Sequence, residues 1–320
     1  MIPTSPDRKL PLIILLGPTA VGKTELSLQL AERINAEIIS ADSRLLYRGM
    51  DIGTAKPTAE EQRRVPHHLV DVANPAEVWS LAMYLQAVQT TVLDICTRGR
   101  VPLLVGGTGQ YIRALVEGWR VPEVEPDPRL RAALENWAGD IGPEALYARL
   151  QKLDPEAAAR MEPQNMRRSV RALEVILTTG QLFSTLRESG PSPYRVLMLG
   201  LQRPRPELYA RIDARIHTML AAGLITETQN LLDRGYSAEL PSLSAIGYRQ
   251  VIQYLAGEIS LEEVVVQMKR ITRRFVRRQA NWFKEDDPLI QWFPANAADS
   301  LHQIVASVQR FRVEQGEFEK

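Results

Sequence analysis

The run Leu12-Ile13-Ile14-Leu15-Leu16-Gly17-Pro18-Thr19-Ala20-Val21-Gly22-Lys23-Thr24, residues 12–24, decides the fold. Its first five residues are apolar without alternation, the pattern of a parallel strand buried on both faces. The next eight fit G-x-x-x-x-G-K-[ST]. Gly17 and Gly22 let the loop through Pro18, Thr19, Ala20 and Val21 curl so that its backbone N–H groups, which Pro18 lacks, surround an anion, and a following helix adds its positive end. Lys23 supplies a mobile cation. The Thr24 hydroxyl is placed to ligate Mg²⁺ bridging a di- or triphosphate. Such a loop recognises oxygens and charge, so ATP, GTP or any other diphosphate would fit.

Outward from that loop, apolar residues Leu26, Leu30 and Ile34 share one face of a helix over 25–34. Strands are predicted at 37–40, running out to Asp42, at 69–72, and at 101–105, where Gly106-Gly107-Thr108-Gly109 follows. Helices are predicted at 81–97 and from near Gln110. Strands alternating with helices predict an α/β fold, a P-loop parallel sheet core with helices on both faces. At 121–128 the sequence VPEVEPDP is rich in proline and acid, as at a domain boundary. From 129 to about 187 the periodicity is helical, with Asp127-Pro128 and Asp154-Pro155 as helix starts. A loop at 189–194 leads to a strand at 196–201 that returns to the sheet. The expected organisation is a core of 1–125 and 195–320, with helices toward its C-terminal end, and a helical insertion at 126–194.

The 320 residues are 45% hydrophobic, enough for a sizeable core, and the net charge of +1 says nothing about a partner. A single cysteine, Cys96, excludes an internal disulfide framework and fits a reducing cytoplasm, with Cys96 read as a small buried apolar residue. The apolar run at 10–16 contains Pro11 and passes straight into the phosphate loop, so it is neither a membrane span nor a signal peptide. His67-His68 are adjacent and point in different directions, which suits packing or hydrogen bonding better than metal chelation.

Asp42 follows a buried strand, and ligands of open α/β sheets gather at the carboxyl ends of strands. A carboxylate there could act as a general base, accept a metal-bound water or cap a turn. Ser43 and Arg44 could meet a polar substrate. The strand at 101–105 ends in glycines rather than the Asp that many nucleotide hydrolases place there, which favours a transferase.

Two stretches are basic. Residues 269–284 read KRITRRFVRRQANWFK, with seven Lys or Arg and no acid. On a helix advancing about 100° per residue, Arg270, Arg273, Arg274, Arg277 and Arg278 share one face with Asn281, and Ile271, Phe275, Trp282 and Phe283 lie toward the other. An unpaired cationic front suits a phosphate backbone. A weaker example is Arg167, Arg168 and Arg171, with Val170, Leu173 and Leu177 pointing away. Arg211 and Arg215, four apart, could each reach a phosphate.

Taken together, the motifs GPTAVGKT at 17–24, ISADSRLLYRGMDIGTAKP at 39–57, PHHLVD at 66–71, LLVGGTGQY at 103–111, RALEV at 171–175, GLITE at 223–227, AIGYRQ at 245–250 and RRQANWF at 277–283 resemble the tRNA dimethylallyltransferase (tRNA isopentenyltransferase) family over nearly the whole chain. The resemblance implies dimethylallyl diphosphate as donor, the anticodon stem-loop of tRNA as partner, and N6 of the adenine 3′ of the anticodon as acceptor. It implies that Asp42 is the general base, that Thr19, Lys23 and Thr24 hold the diphosphate with Mg²⁺, and that Arg215 neutralises the leaving group. Positions matching family contacts to tRNA are Asp42, Ser43, Arg44 and Leu45; Thr108; Arg131; Arg167, Arg168, Ser169, Val170 and Arg171; Ser244, Ala245, Ile246, Gly247, Tyr248 and Arg249; and Arg277, Arg278, Gln279, Asn281, Trp282 and Lys284. Two departures stand out. Leu45 replaces a frequent Gln and removes a polar group, whereas Asn281 replaces a frequent Thr and keeps hydrogen-bonding capacity. A cytoplasmic monomer is expected. The rival readings are a small-molecule kinase, an RNA-binding ATPase and a prenyltransferase acting on free adenine nucleotides.

Overall fold

The computed structural model describes residues 9–119, 127–186 and 190–313. The predicted boundary at 121–128 therefore lies outside the described residues except for Asp127 and Pro128, as do Arg187 and Ser189.

The chain alternates β1 (Leu10–Leu16), α1 (Lys23–Ile34), β2 (Ala36–Ala41), α2 (Ala59–Arg64), β3 (His67–His68), α3 (Leu81–Thr97), β4 (Val101–Gly106) and α4 (Gly109–Val116). Five helices follow: α5 (Pro128–Ile141), α6 (Pro143–Leu153), α7 (Pro155–Ala159), α8 (Met166–Thr179) and α9 (Phe183–Leu186). The chain then re-enters the sheet as β5 (Tyr194–Gln202), followed by α10 (Arg205–Ala221), α11 (Leu224–Asp233), α12 (Tyr248–Leu255), α13 (Leu261–Trp282), β6 (Ile290–Pro294) and α14 (Ser300–Val313). The sheet runs β3-β2-β4-β1-β5-β6, and every pairing is parallel. β1 sits near its centre, and Leu12 through Leu16 are all at most 1% exposed, which explains the unbroken apolar run.

Two sequence expectations need correction. The strand expected at 69–72 is instead His67–His68. Leu69 and Asp71 take left-handed conformations, with φ of 57° and 56°, and end the pairing there. β6 was not anticipated. It is a short edge strand on β5, with Ile290 and Phe293 buried.

Contacts divide the chain into two compact units, residues 1–116 with 193–320, and residues 117–192. The first owns the sheet and one continuous apolar core. The second has its own small core of Leu134, Ala138, Leu146, Leu150, Val170 and Leu173, among others. Its helices begin as their sequences dictate: the Asp127 side chain accepts from the N–H groups of Arg129 and Leu130, and that of Asp154 from Ala157.

Candidate active site

Sheet register builds the site. Leu16 pairs opposite Gly106, and Gly106 pairs opposite Ala41. The residues that leave the strands at this edge are therefore Gly17, Gly107 and Asp42. With strands spaced by about 4.8 Å, Asp42 starts roughly 10 Å from the phosphate loop, with the glycine turn between them. That turn must be glycine. A Cβ at Gly106 would collide with the Ala41 backbone, and one at Gly109 would overlap Trp282.

The phosphate loop is wound by backbone conformations that side chains resist: φ is 67° at Ala20 and 115° at Gly22. α1 starts at Lys23, and Thr24 is exposed in its first turn. The Lys23 ammonium folds back on its own loop, donating to the carbonyls of Gly17 at 2.9 Å and Pro18 at 3.0 Å. Burial pulls its pKa down to about 8, Asp42 opposes that fall, and Arg215 adds to it. Lys23 thus feels both the predicted base and the predicted leaving-group cation. Arg215 is itself lowered, first by burial and then by Arg211.

Asp42 closes a turn, its Oδ1 accepting from the Arg44 N–H at 2.9 Å. The Ser43 N–H donates to Thr108 Oγ1 at 3.3 Å, and the Thr108 N–H to the Ala41 carbonyl at 3.1 Å, so the two strand ends hold each other. Arg44 reaches to the carbonyls of Pro241 and Ser242 and to Ser244 Oγ. Beneath the turn Tyr84 and Tyr111 stack with centroids 3.7 Å apart, and the Tyr84 hydroxyl donates to the Ser40 carbonyl. Burial pushes the Tyr111 phenol up to about 12, with Tyr47 and Asp42 adding to the rise.

The predicted residues did not include all of the loop's supports. Arg211 donates to the Ala20 carbonyl at 2.7 Å and Arg203 to the Val21 carbonyl at 3.3 Å. Glu227, in the GLITE motif, accepts from the N–H groups of Asp51, Ile52 and Gly53 and from the Tyr248 hydroxyl. The Lys56 ammonium, 4% exposed, bridges Asp51 and Asp71 at 2.5 Å each. The GTAKP and GLITE motifs thus anchor the segment that follows the Asp42 turn. A carboxylate read in isolation on an amphipathic helix carries no sign of such a nest. His67 and His68 do make hydrogen bonds, to the Val65 carbonyl and to Glu37.

Several predicted tRNA contacts are turned inward. Tyr248 is 0% exposed, and Ala245 and Gly247 are buried with it, because α12 begins inside the core. Ile246 is half-buried, while Ser244 and Arg249 are exposed. Gln279 is buried, with its amide on the phosphate loop. Ser169 and Val170 are buried within the second unit, and Val170 joins its apolar core. Leu177, expected to point away from the arginine face with Val170 and Leu173, is exposed while those two are buried. Cys96 is half-buried rather than buried.

The basic faces are only partly unpaired. On α13, Arg273 donates to both oxygens of Asp213 on α10, at 2.9 and 2.8 Å, so the cationic front is broken there. Arg270, Arg274, Arg277, Arg278, Asn281 and Lys284 are exposed and make no ion pair among the described residues. Trp282 is partly exposed while packing on Gly109. In the second unit, Arg131 and Arg171 both donate to Oε2 of the buried Glu174, at 2.7 Å each. Burial pushes that carboxyl up, but the two arginines hold it below its ordinary range. Arg167 is exposed, Arg168 half-buried, and Leu45 half-buried beside the Asp42 turn.

The IPP transferase family model matches residues 45–286, and the isopentenyl transferase model matches residues 10–71. A tRNA dimethylallyltransferase of Roseiflexus sp. (strain RS-1) is 51% identical over 301 residues, covering 94% of this chain and 98% of the relative. That of Thermomicrobium roseum is 46% identical over 304 residues, covering 95% and 92%. Among solved structures, the full-length tRNA isopentenylpyrophosphate transferase of Bacillus halodurans superposes with a TM-score of 0.72 at 40% identity, covering 97% of this chain and 99% of that one. A eukaryotic dimethylallyltransferase acting on tRNA superposes with a TM-score of 0.81 at 26% identity, covering 95% and 80%.

Proposed function

The chain belongs to the IPP transferase family, and on that premise we propose that it moves the dimethylallyl group of dimethylallyl diphosphate to N6 of the adenosine 3′-adjacent to the anticodon. It is a tRNA-prenylating transferase. The observation that carries the finer reading is the register that sets the Asp42 turn and the phosphate loop along one sheet edge, with Lys23 sensing both Asp42 and Arg215.

The chemistry suits these groups. Breaking the allylic C–O bond leaves negative charge on the diphosphate and positive charge on the allyl carbon. Lys23 leaves its own loop carbonyls for the diphosphate oxygens, and Arg215 adds a second cation, both held in place before the charge develops. The loop amides and Thr19 cradle the same oxygens. The adenine amine is a weak nucleophile because its lone pair is delocalised into the ring. It forms the new C–N bond as the C–O bond breaks, and its proton passes to Asp42. The adenine leaves the anticodon stack to reach the edge, a small cost in an RNA loop.

Mg²⁺ fits this donor set. No group of three or more His, Cys, Asp or Glu is arranged for a metal among the described residues. That suits an ion held mostly by substrate oxygens and water, with one protein hydroxyl. Thr24, exposed beside Lys23, is that hydroxyl. When bound, Mg²⁺ neutralises charge on the leaving diphosphate.

The anticodon stem-loop meets Arg274, Arg277 and Arg278 of α13; within the helical unit Arg167 and Arg168 are the candidates for contacts of their own. All these groups come from one chain, so a monomer suffices. No described helix is long and apolar enough to cross a membrane. We place the enzyme in the cytoplasm, where its substrate tRNA is found.

The test incubates the protein with Mg²⁺, dimethylallyl diphosphate and an anticodon stem-loop carrying adenosine at the acceptor position. The expected result is a mass gain of one dimethylallyl group with release of pyrophosphate, and none when guanosine replaces that adenosine. Consumption of ATP without mass gain would instead favour the kinase or ATPase reading.

A further inference from the structure

Gln279 follows the exposed Arg277 and Arg278 on α13, yet it is 5% exposed. Both ends of its amide are used. Oε1 accepts from the Thr19 N–H at 2.9 Å, and Nε2 donates to the Gly107 carbonyl at 3.0 Å. One side chain thus ties the loop after β1 to the glycine turn after β4. These are two of the three strand ends that form the site, and the third, at Asp42, is already bonded to the glycine turn through Thr108. Gly107 has no room for a Cβ because Gln279 Nε2 lies where it would go. The glycine of one motif and the glutamine of another therefore fit each other.

We propose that Gln279 is a positioning residue for the diphosphate donor, holding the phosphate loop in register with the glycine turn, rather than an RNA contact. The proposal rests on the donor site described above. A buried amide with both partners satisfied is rigid, and removing it takes that partner from the half-buried Thr19 N–H and the buried Gly107 carbonyl. The loop then relaxes, and the cost falls on anion binding. The exposed face of α13 is untouched.

The experiment measures pyrophosphate affinity by calorimetry, stem-loop affinity by fluorescence anisotropy, and the donor KM and kcat. The proteins are the full chain and its Gln279→Met and Gly107→Ala variants. Methionine keeps the length of the side chain without its hydrogen bonds. The alanine displaces the amide and leaves Gln279 intact. Each variant is expected to weaken pyrophosphate binding and raise the donor KM on the order of tenfold, with stem-loop affinity within about twofold. The double variant should be no worse than the weaker-binding single one, because both remove one bridge. Unchanged pyrophosphate affinity in Gln279→Met, additive losses, or equal loss of stem-loop affinity would each overturn the proposal. Failure of the wild-type protein to bind pyrophosphate would instead strike the donor site itself. Hydrogen exchange needs no variant: the Thr19 N–H should be protected in the unliganded wild type, and exchange at the rate of an exposed loop amide would also sink the assignment.

Discussion

α8 and α13 carry the two arginine-rich stretches of the chain, and in sequence they look like strong and weak versions of one device. Their surroundings differ. On α8 the cations answer a carboxylate on the same helix. Glu174 is fully buried and accepts from Arg171 and, from α5, Arg131. On α13 the cations answer a carboxylate on another helix: Asp213 of α10 takes Arg273 at 2.8 Å and, more loosely, Lys269 at 3.8 Å. Arg274, Arg277 and Arg278 remain exposed there without ion pairs among the described residues. A charge run in sequence counts cations, but the carboxylates nearby decide how many remain for a phosphate backbone.

The largest test lies outside both helices and checks that they serve binding while the sheet edge serves chemistry. Asp42→Ala is expected to lower kcat by about 10²–10⁴-fold, with stem-loop affinity little changed. Equal loss in turnover and binding would make Asp42 a turn cap and remove the contrast. Next comes Glu174→Ala, which leaves two arginines without their buried acceptor. Chemical denaturation should show a loss of about 1–3 kcal/mol. The Glu174 carboxyl is held below its ordinary range, so its contribution is present above the ordinary glutamate pKa and disappears as pH falls through the depressed value. Glu174→Gln should therefore differ from wild type at neutral pH and converge with it in acid.

Replacing Arg274 and Arg278 with alanine sharpens the comparison directly. The slope of log affinity against log salt for the stem-loop should flatten by roughly 1.4–1.8, about 0.7–0.9 per lost phosphate contact. An unchanged slope would take α13 out of the interface. A smaller effect concerns Lys23, whose pKa in the free protein is lowered to about 8. Diphosphate binds the charged form, so its affinity should fall as pH rises above about 8, where binding must take up a proton. Free-protein stability should move the other way from about 8 upward, because the unfolded lysine still holds its proton there. Lys23→Arg should abolish the pH dependence of binding. The smallest effect is expected from Arg273→Ala, whose half-exposed pair with Asp213 contributes about 0.2–1 kcal/mol and whose loss should leave the salt slope alone.

Much of the fold was legible because its signals are local. The apolar runs of β1 and β4, the glycine pattern of the phosphate loop, and the Asp-Pro starts of α5 and α7 each need only a few neighbouring residues. The return of β5 to the sheet was also readable, as an apolar run after a helical stretch. β3 and β6 were misplaced or missed because they are short edge strands held by their neighbours. Within the site, Lys23, Thr24 and Asp42 could be named from motif and strand position. Arg203 could not, and Arg211 and Glu227 were visible only as a phosphate candidate and as part of a motif, since the backbone groups that each holds lie far away in sequence. Tyr248, Ser169 and Gln279 were given as positions matching family contacts to tRNA, and motif membership does not reveal that their side chains are buried.

The sequence by itself determined the nature of the chemistry: an anion cradle after a buried strand, a cation and a hydroxyl at its end, and a carboxylate at the tip of the next strand. These follow from residue type and short-range geometry. Tertiary structure alone decided which groups are free to act. Strand register set Asp42 across the glycine turn from the cradle, and distant segments of the chain supplied the arginines and the glutamine that hold the loop. A hydrogen bond or ion pair removes a polar group from further use, and its partner can come from anywhere in the chain.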